Sequence, residues 1–241
     1  MKTLLPPADG ALEAPAQVQG MFSRIAKRYD LANALLSGGL DWFWRRRAAR
    51  IVSRWRPARL LDLATGSGVL AATLARACPE ALVIGADFCL PMLQQAQKGR
   101  GLRRLVVADA MRLPFGDGAF DAVTVAFGLR NMPSYLGALR EMQRVVRPGG
   151  HLLILDFSVP GGWWRGLYRW YLHRWLPRIA GALSGERGAY EYLAESIERF
   201  PRGDDMRRLL AEAGFEDACA EELSGGIVSL YTAAKPATPS S

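Results

Sequence analysis

A chain of 241 residues, half of them hydrophobic and 22% charged, holds enough apolar material for one large folded domain and too much for a disordered chain. No apolar run reaches the roughly 18–20 residues that a membrane-crossing helix needs. Three scattered cysteines and two histidines exclude a disulfide framework and leave no metal-ligand spacing, so no metal and a reducing, cytoplasmic compartment are expected.

The formal charge of +8, carried mostly by arginine, favours anionic partners such as nucleic acid, an acidic membrane surface or phosphate-bearing ligands. The plainer alternative is a chain that uses arginine wherever a solvated cation will serve. Residues 1–17 place two leucines ahead of two prolines, lack the apolar stretch of a signal peptide, and read as a flexible leader. A helical segment over about 18–56 opens a single domain predicted to run from 18 to 235.

From residue 59 onward, unbroken apolar runs of strand length recur with helical segments between them. RLLDLA (59–64), ALVIGADF (81–88), RLVVADA (104–110), FDAVTVAF (120–127) and HLLILDFS (151–158) are hydrophobic on both faces, as strands of a covered parallel sheet must be. Helical spacing marks 68–78, 135–146 and 205–215, and RPGG (147–150) is a stop signal. A helical, aromatic-rich insertion over 161–200 precedes two last strands, 217–223 and 227–235, joined by SGG as an antiparallel hairpin; 236–241 reads as a flexible tail. The pattern predicts an α/β fold: a doubly wound, Rossmann-like seven-stranded sheet with a C-terminal antiparallel hairpin and a helical cap.

LDLATGSGVLA is strand, turn and helix start, with Asp62 on the strand and Gly66 and Gly68 in the turn. Glycines there let the backbone approach a nucleoside, and Asp87 at the tip of the second strand can accept both ribose hydroxyls. Taken alone, GSGVLA satisfies the dinucleotide fingerprint, so a dehydrogenase is a rival, but no proton-donor pair for hydride chemistry accompanies it. Asp109, followed by Ala110, adds a third acid after the third strand. Asp62, Asp87 and Asp109 together suit a cationic ligand with an amine, a ribose and an adenine amino group better than a pyrophosphate. The expected ligand is therefore S-adenosylmethionine (SAM), and the expected fold that of a class I SAM methyltransferase.

Several stretches carry a closer resemblance. MFSRIAKRYDLANALLSGGLDWFWRR (21–46), LLDLATGSG (60–68), GADFCLPML (85–93), ADAMRLPFGDGAFDAVTVAFGLRN (108–131), EMQRVVRPGG (141–150) and YLAESIERFP (192–201) resemble the ubiquinone/menaquinone-biosynthesis C-methyltransferases. The resemblance implies SAM contacts from Ser67, Asp87, Asp109 and Ala110. It also implies methyl transfer to a ring carbon of a polyprenylated quinol: demethylmenaquinol to menaquinol, or a 2-methoxy-6-polyprenyl-1,4-benzoquinol. Val69 stands where the family usually has an acid, Ala126 where relatives often have serine, and Tyr231 where histidine is commoner.

The quinol must lose a phenolic proton with a pKa of about 10, and arginine, with a pKa above about 12, is a poor base but can stabilise the anion. Arg130 and Asn131 of FGLRN (127–131), with Tyr29 of RYD, are therefore the candidate catalytic cluster around a ring oxygen or a relay water. The alternative pairs Arg130 with an acid such as Asp30 and packs Tyr29 in the core; His173 is a further candidate base. The insertion interleaves Trp163, Trp164, Trp170 and Trp175 with Arg165, Arg169, Arg174 and Arg178, which suits a peripheral contact with the inner face of a membrane, a lid over a prenyl tail, or an ordinary cap helix. RNA could stack on the same rings, but no separate binding module accompanies them, so no nucleic acid is expected. A SAM-binding protein without catalysis is the rival of another class. A homo-oligomer is compatible with the family, though no face of the sequence announces one.

Overall fold

A computed structural model describes residues 37–175 and 187–237, together with Gly20. The leader 1–17, Tyr29, Asp30, Arg178 and tail residues 238–241 lie outside the described residues. Of the expected N-terminal helical segment, α1 (Asp41–Arg54) is described. It is followed by β1 (Arg59–Leu63), α2 (Val69–Ala77), β2 (Leu82–Asp87), α3 (Leu90–Arg100), β3 (Leu105–Val107) and β4 (Phe120–Ala126). A 3-10 turn at Leu129–Asn131 leads to α4 (Tyr135–Val145) and β5 (Val146–Phe157). The insertion forms α5 (Arg165–Trp170), which continues as a π-helical turn through Trp175, and α6 (Arg187–Arg199). The chain ends with α7 (Asp204–Glu212), β6 (Glu216–Leu223) and β7 (Val228–Ala234).

The sheet has seven strands in the order β3-β2-β1-β4-β5-β7-β6. The first five are mutually parallel, with Leu61 opposite both Ile84 and Val123. β7 runs antiparallel to β5 and β6, giving the hairpin expected at SGG. Alternation along each strand splits the core between two faces. Leu61, Leu63, Val123, Val125 and Ile154 pack with Leu139, Met142 and Leu210 on the side of α4 and α7. Leu60, Ala122, Leu153 and Leu155 pack with Trp44, Ala48, Val52, Leu70 and Leu74 on the side of α1 and α2. Both sets are fully covered, which is why the strands read as continuous apolar runs.

Helix α4 shows how local sequence fixes an element beside the site. The Ser134 hydroxyl accepts from the Gly137 N–H at 3.1 Å as its N-cap, and Tyr135, Ala138, Leu139, Met142 and Val145 are buried at helical spacing. Three boundaries differ from expectation. β5 begins at Val146, opposite Phe120, and its Pro148-Gly149-Gly150 stretch is absorbed as a bulge before Ala122 meets His151. β3 stops at Val107, so Asp109 and Ala110 fall in the turn beyond it. Leu90–Arg100 is a helix, with Pro91 in its first turn and Gly101 at φ +66° as its left-handed stop.

Candidate functional site

The carboxyl ends of β1, β2, β3 and β4 surround a cavity of about 200 Å³. Such a crevice, beyond the strand ends where the order reverses, is where ligands bind in open parallel sheets. Gly66, Ser67, Asp87, Asp109, Ala110 and Asn131 all line it, so the structure brings together these residues from four separate sequence stretches.

The turn after β1 is built by buried hydrogen bonds. One Asp62 oxygen accepts from the Thr65 hydroxyl at 2.6 Å and the other from the Thr124 hydroxyl at 2.8 Å. Asp62 is 1% exposed and does not line the cavity. Both its oxygens are turned to the threonines, so it shapes the turn from beneath. Burial pushes its carboxyl up to about 6, against the pull of the two threonine hydroxyls and the charge of Arg45. Gly68 is also not a lining residue. It caps α2 at φ +80°, a left-handed conformation that favours glycine, and a Cβ there would also crowd Leu102 and Ala96.

Asp87 accepts the Gly66 N–H at 2.8 Å through one oxygen and the Cys89 N–H at 2.9 Å through the other. Burial raises its pKa, while the backbone donors hold it down. A carboxylate has about four acceptor sites, so these donors leave capacity for a hydroxyl in the cavity. Asp109 accepts the Met111 N–H at 2.8 Å and is exposed at the far side. The loop behind it is braced by Arg144, which donates to the carbonyls of Leu113 and Phe115 and to Glu141 and Asp117.

FGLRN closes the opposite wall. Gly128 has an ordinary φ of −117° but lies against the first turn, where a Cβ would stand 2.5 Å from the Ala64 Cβ. Ala64 at φ +51° and Phe127 at φ +58° both hold left-handed backbone at the cavity wall. Asn131 lines the cavity, with a long contact of 3.5 Å from its amide to the Phe127 carbonyl.

Arg130 does not line the cavity. It is 3% exposed and its Nη1 donates to Asp156 Oδ1 at 2.5 Å and to the Phe127 carbonyl at 2.7 Å. Asp156, fully buried in β5, also accepts the Phe157 N–H at 2.9 Å. Burial pushes the Asp156 carboxyl up, and the guanidinium and backbone donors oppose that push. Arg130 therefore stands behind the cavity wall, with its Nη1 held by a buried carboxylate. Asp156 and Arg45 are the residues that sequence reasoning missed. The signals were an acid inside the apolar run HLLILDFS, and an arginine on the stripe of Ala48, Ala49 and Val52 along α1. His173 is away from the cavity, 3.1 Å from Glu198.

Two predictions follow from these burials. Arg130→Met strands a buried carboxylate and should cost about 3–5 kcal/mol in urea denaturation, whereas Arg130→Met with Asp156→Leu should recover most of it. An equal loss in both would show that the pair is not the source. An acid whose folded pKa lies above its unfolded value binds more protons when folded, so stability falls as pH rises between the two, here from 3.8 to about 6. Asp62→Asn should remove that component: relative to the parent, the variant gains up to about 1.4 kcal/mol per pH unit across the window, read as the parent-to-variant stability difference against pH.

Comparison with known proteins agrees with this geometry. Residues 12–235 match the sequence profile described as the ubiE/COQ5 methyltransferase family. A demethylmenaquinone methyltransferase of Thermus thermophilus is 49% identical over 221 residues, covering 90% of this chain and 100% of that protein. One of Deinococcus radiodurans is 42% identical, covering 87% and 89%. Among solved structures, a SAM-dependent methyltransferase of Thermotoga maritima superposes with a TM-score of 0.62 at 18% identity over 90% of this chain and 99% of that one. Human N-acetylserotonin methyltransferase with SAM does so at 0.66 and 17%, over 93% of this chain and 60% of that one. A [4+2]-cyclase matches at 0.67 and 19% over 97% of this chain and 100% of that one, so the shared sheet establishes the fold and not the reaction. The profile and the close relatives settle the rest: this chain belongs to the ubiE/COQ5 methyltransferase family and is a SAM-dependent methyltransferase.

Proposed function

We propose that this enzyme methylates the ring of demethylmenaquinol, using SAM, from the cytoplasmic face of a membrane. The observation that carries the substrate is the 49% identity, over the whole of the Thermus protein, with a demethylmenaquinone methyltransferase. The 2-methoxy-6-polyprenyl-1,4-benzoquinol remains the competing acceptor within the same family.

The donor set of the cavity fits the cofactor. Asp87 would accept the ribose hydroxyls, Asp109 and Ala110 the adenine edge, and Gly66 and Ser67 would supply close backbone. When bound, SAM supplies an electrophilic methyl group on a sulfonium leaving group, so no general acid is required. The chain's task is orientation, which can account for about 7–11 kcal/mol of a barrier. Asn131, with an amide donor and acceptor at the cavity wall, is assigned to the ring oxygen or its relay water. Arg130 is assigned a positioning role, since through Asp156 it fixes the loop that carries Asn131. Tyr29 stays the third proposed member, outside the described residues.

An exposed aromatic surface supports the membrane part of this reading. Trp163 is 93% exposed and Trp42 62%, with Leu40, Phe43, Leu167, Trp170 and Trp175 also exposed. They belong to the segments that wall one apolar hollow of about 330 Å³, lined by Leu40, Trp44, Phe157, Tyr168 and Leu172 among others. Cations accompany them: Arg46 lies 4.8 Å from the Trp42 ring centre, and Arg165, Arg169 and Arg174 are exposed on the insertion. Rings at headgroup depth with arginines beside anionic lipid are the composition of an interfacial anchor. No helix among the described residues is long and apolar enough to cross a membrane.

Incubating the protein with methyl-labelled SAM and each reduced acceptor tests the reaction. Label should enter the naphthoquinol ring with a kcat/KM well above that for the benzoquinol; the reverse preference would replace the substrate. For the surface, Trp163→Ser with Trp170→Ser should weaken co-sedimentation with vesicles containing about one-third phosphatidylglycerol by about tenfold or more, since each ring buries about 1.5–3 kcal/mol. Turnover of a short-chain, soluble quinol should be kept. Unchanged sedimentation would sink the anchor.

A further inference from the structure

The residues assigned to adenine and ribose occupy only one end of the cavity. Asp109 follows β3 and Asp87 ends β2, and the sheet continues in the order β3-β2-β1-β4. Neighbouring strands lie about 4.8 Å apart, so the cavity spans about 14 Å from the β3 end to the β4 end. A nucleoside held at β3 and β2 must extend its remaining portion towards β1 and β4. In SAM that portion is an amino acid, whose carboxylate needs a cation or strong donors once water is excluded.

Among the described residues lining the cavity, Arg45 is the one with a permanent positive charge. It stands on α1 and is 7% exposed. Its guanidinium carbon lies 5.0 Å from the centre of the Phe127 ring at the end of β4, and its Nε is 3.7 Å from Asp41 Oδ2. Its charge also draws down the buried Asp62 carboxyl on β1. Arg45 therefore sits at the β1–β4 end of the cavity, opposite Asp109. The Phe127 ring beneath it restrains the guanidinium, and a planar fork of N–H donors matches a carboxylate in two parallel hydrogen bonds.

We propose that Arg45 is the carboxylate-binding residue of the cofactor site, receiving the α-carboxylate of the methionine portion. The proposal rests on the cofactor of the family and not on the identity of the quinol. It divides the cavity by charge: acids for the nucleoside, one arginine for the amino-acid end.

Calorimetric titration of the full chain with S-adenosylhomocysteine and with 5′-methylthioadenosine tests it. The two ligands share adenine, ribose and thioether, and only the first has the carboxylate. Arg45→Met keeps an aliphatic stem over Phe127 but removes the charge. It should weaken S-adenosylhomocysteine by about ten- to a hundredfold, the scale of a lost charge-assisted pair, while methylthioadenosine stays within about twofold. Arg45→Lys should lose less, because the charge remains and the fork does not. Equal weakening of both ligands would assign Arg45 a structural role and overturn the proposal. So would unchanged binding of both with reduced quinol turnover, which would put Arg45 on the acceptor. A parent chain that binds neither ligand would remove the cofactor itself.

Discussion

The buried ion pair between Arg130 and Asp156 is the constraint on which the cavity wall depends. Two charges are taken almost completely out of water at 2.5 Å separation, an arrangement whose desolvation cost rivals its Coulombic gain. Its value is positional. It joins the loop after β4 to the end of β5, and the same guanidinium holds the Phe127 carbonyl. Phe127 and Ala64 both sit in left-handed backbone, a conformation that costs about 1–3 kcal/mol per non-glycine residue unless the surroundings impose it. The Arg130 hydrogen bond to the Phe127 carbonyl and the close approach of Gly128 to Ala64 bear directly on these two residues.

From that pair a layered stack runs to the other side of the site. Arg130 lies over Phe157 at 5.4 Å, Phe157 meets Phe127 at 4.7 Å, and Arg45 lies over Phe127 at 5.0 Å. Trp44 braces both phenylalanines and donates to the Ser224 hydroxyl at 2.9 Å. Cation–aromatic contacts of this kind are worth about 2 kcal/mol or more when desolvated. The arginine excess of the sequence thus divides into two uses. Some arginines tie elements together, as Arg144 does behind Asp109 and Arg147 with Asp121 at the opposite end of the sheet. Others stand on the exposed aromatic face.

Much of the fold was legible because burial on both faces leaves unbroken apolar runs, and the glycine turn and Asp87 could be placed by spacing from them. Helix α3 was not, since its buried residues are few and its amphipathic signal weak. The site was legible as a set of stretches but not as a network. That Asp62 turns to Thr124, 62 residues away, or that Arg130 finds Asp156, 26 residues on, is decided by strand order and register, which no local pattern contains. Asp62 and Arg130, singled out in the sequence, support the wall, while Arg45, singled out for nothing, lines the cavity.

The exposed tryptophans carry a practical consequence. A surface with Trp163 almost wholly in water and six other large apolar side chains exposed is under tension in plain buffer, because nothing there satisfies it as lipid would. Molecules in such a solution can relieve the tension by meeting one another through that face. An assembly size measured in plain buffer then varies with protein concentration through that face, and detergent should shift it.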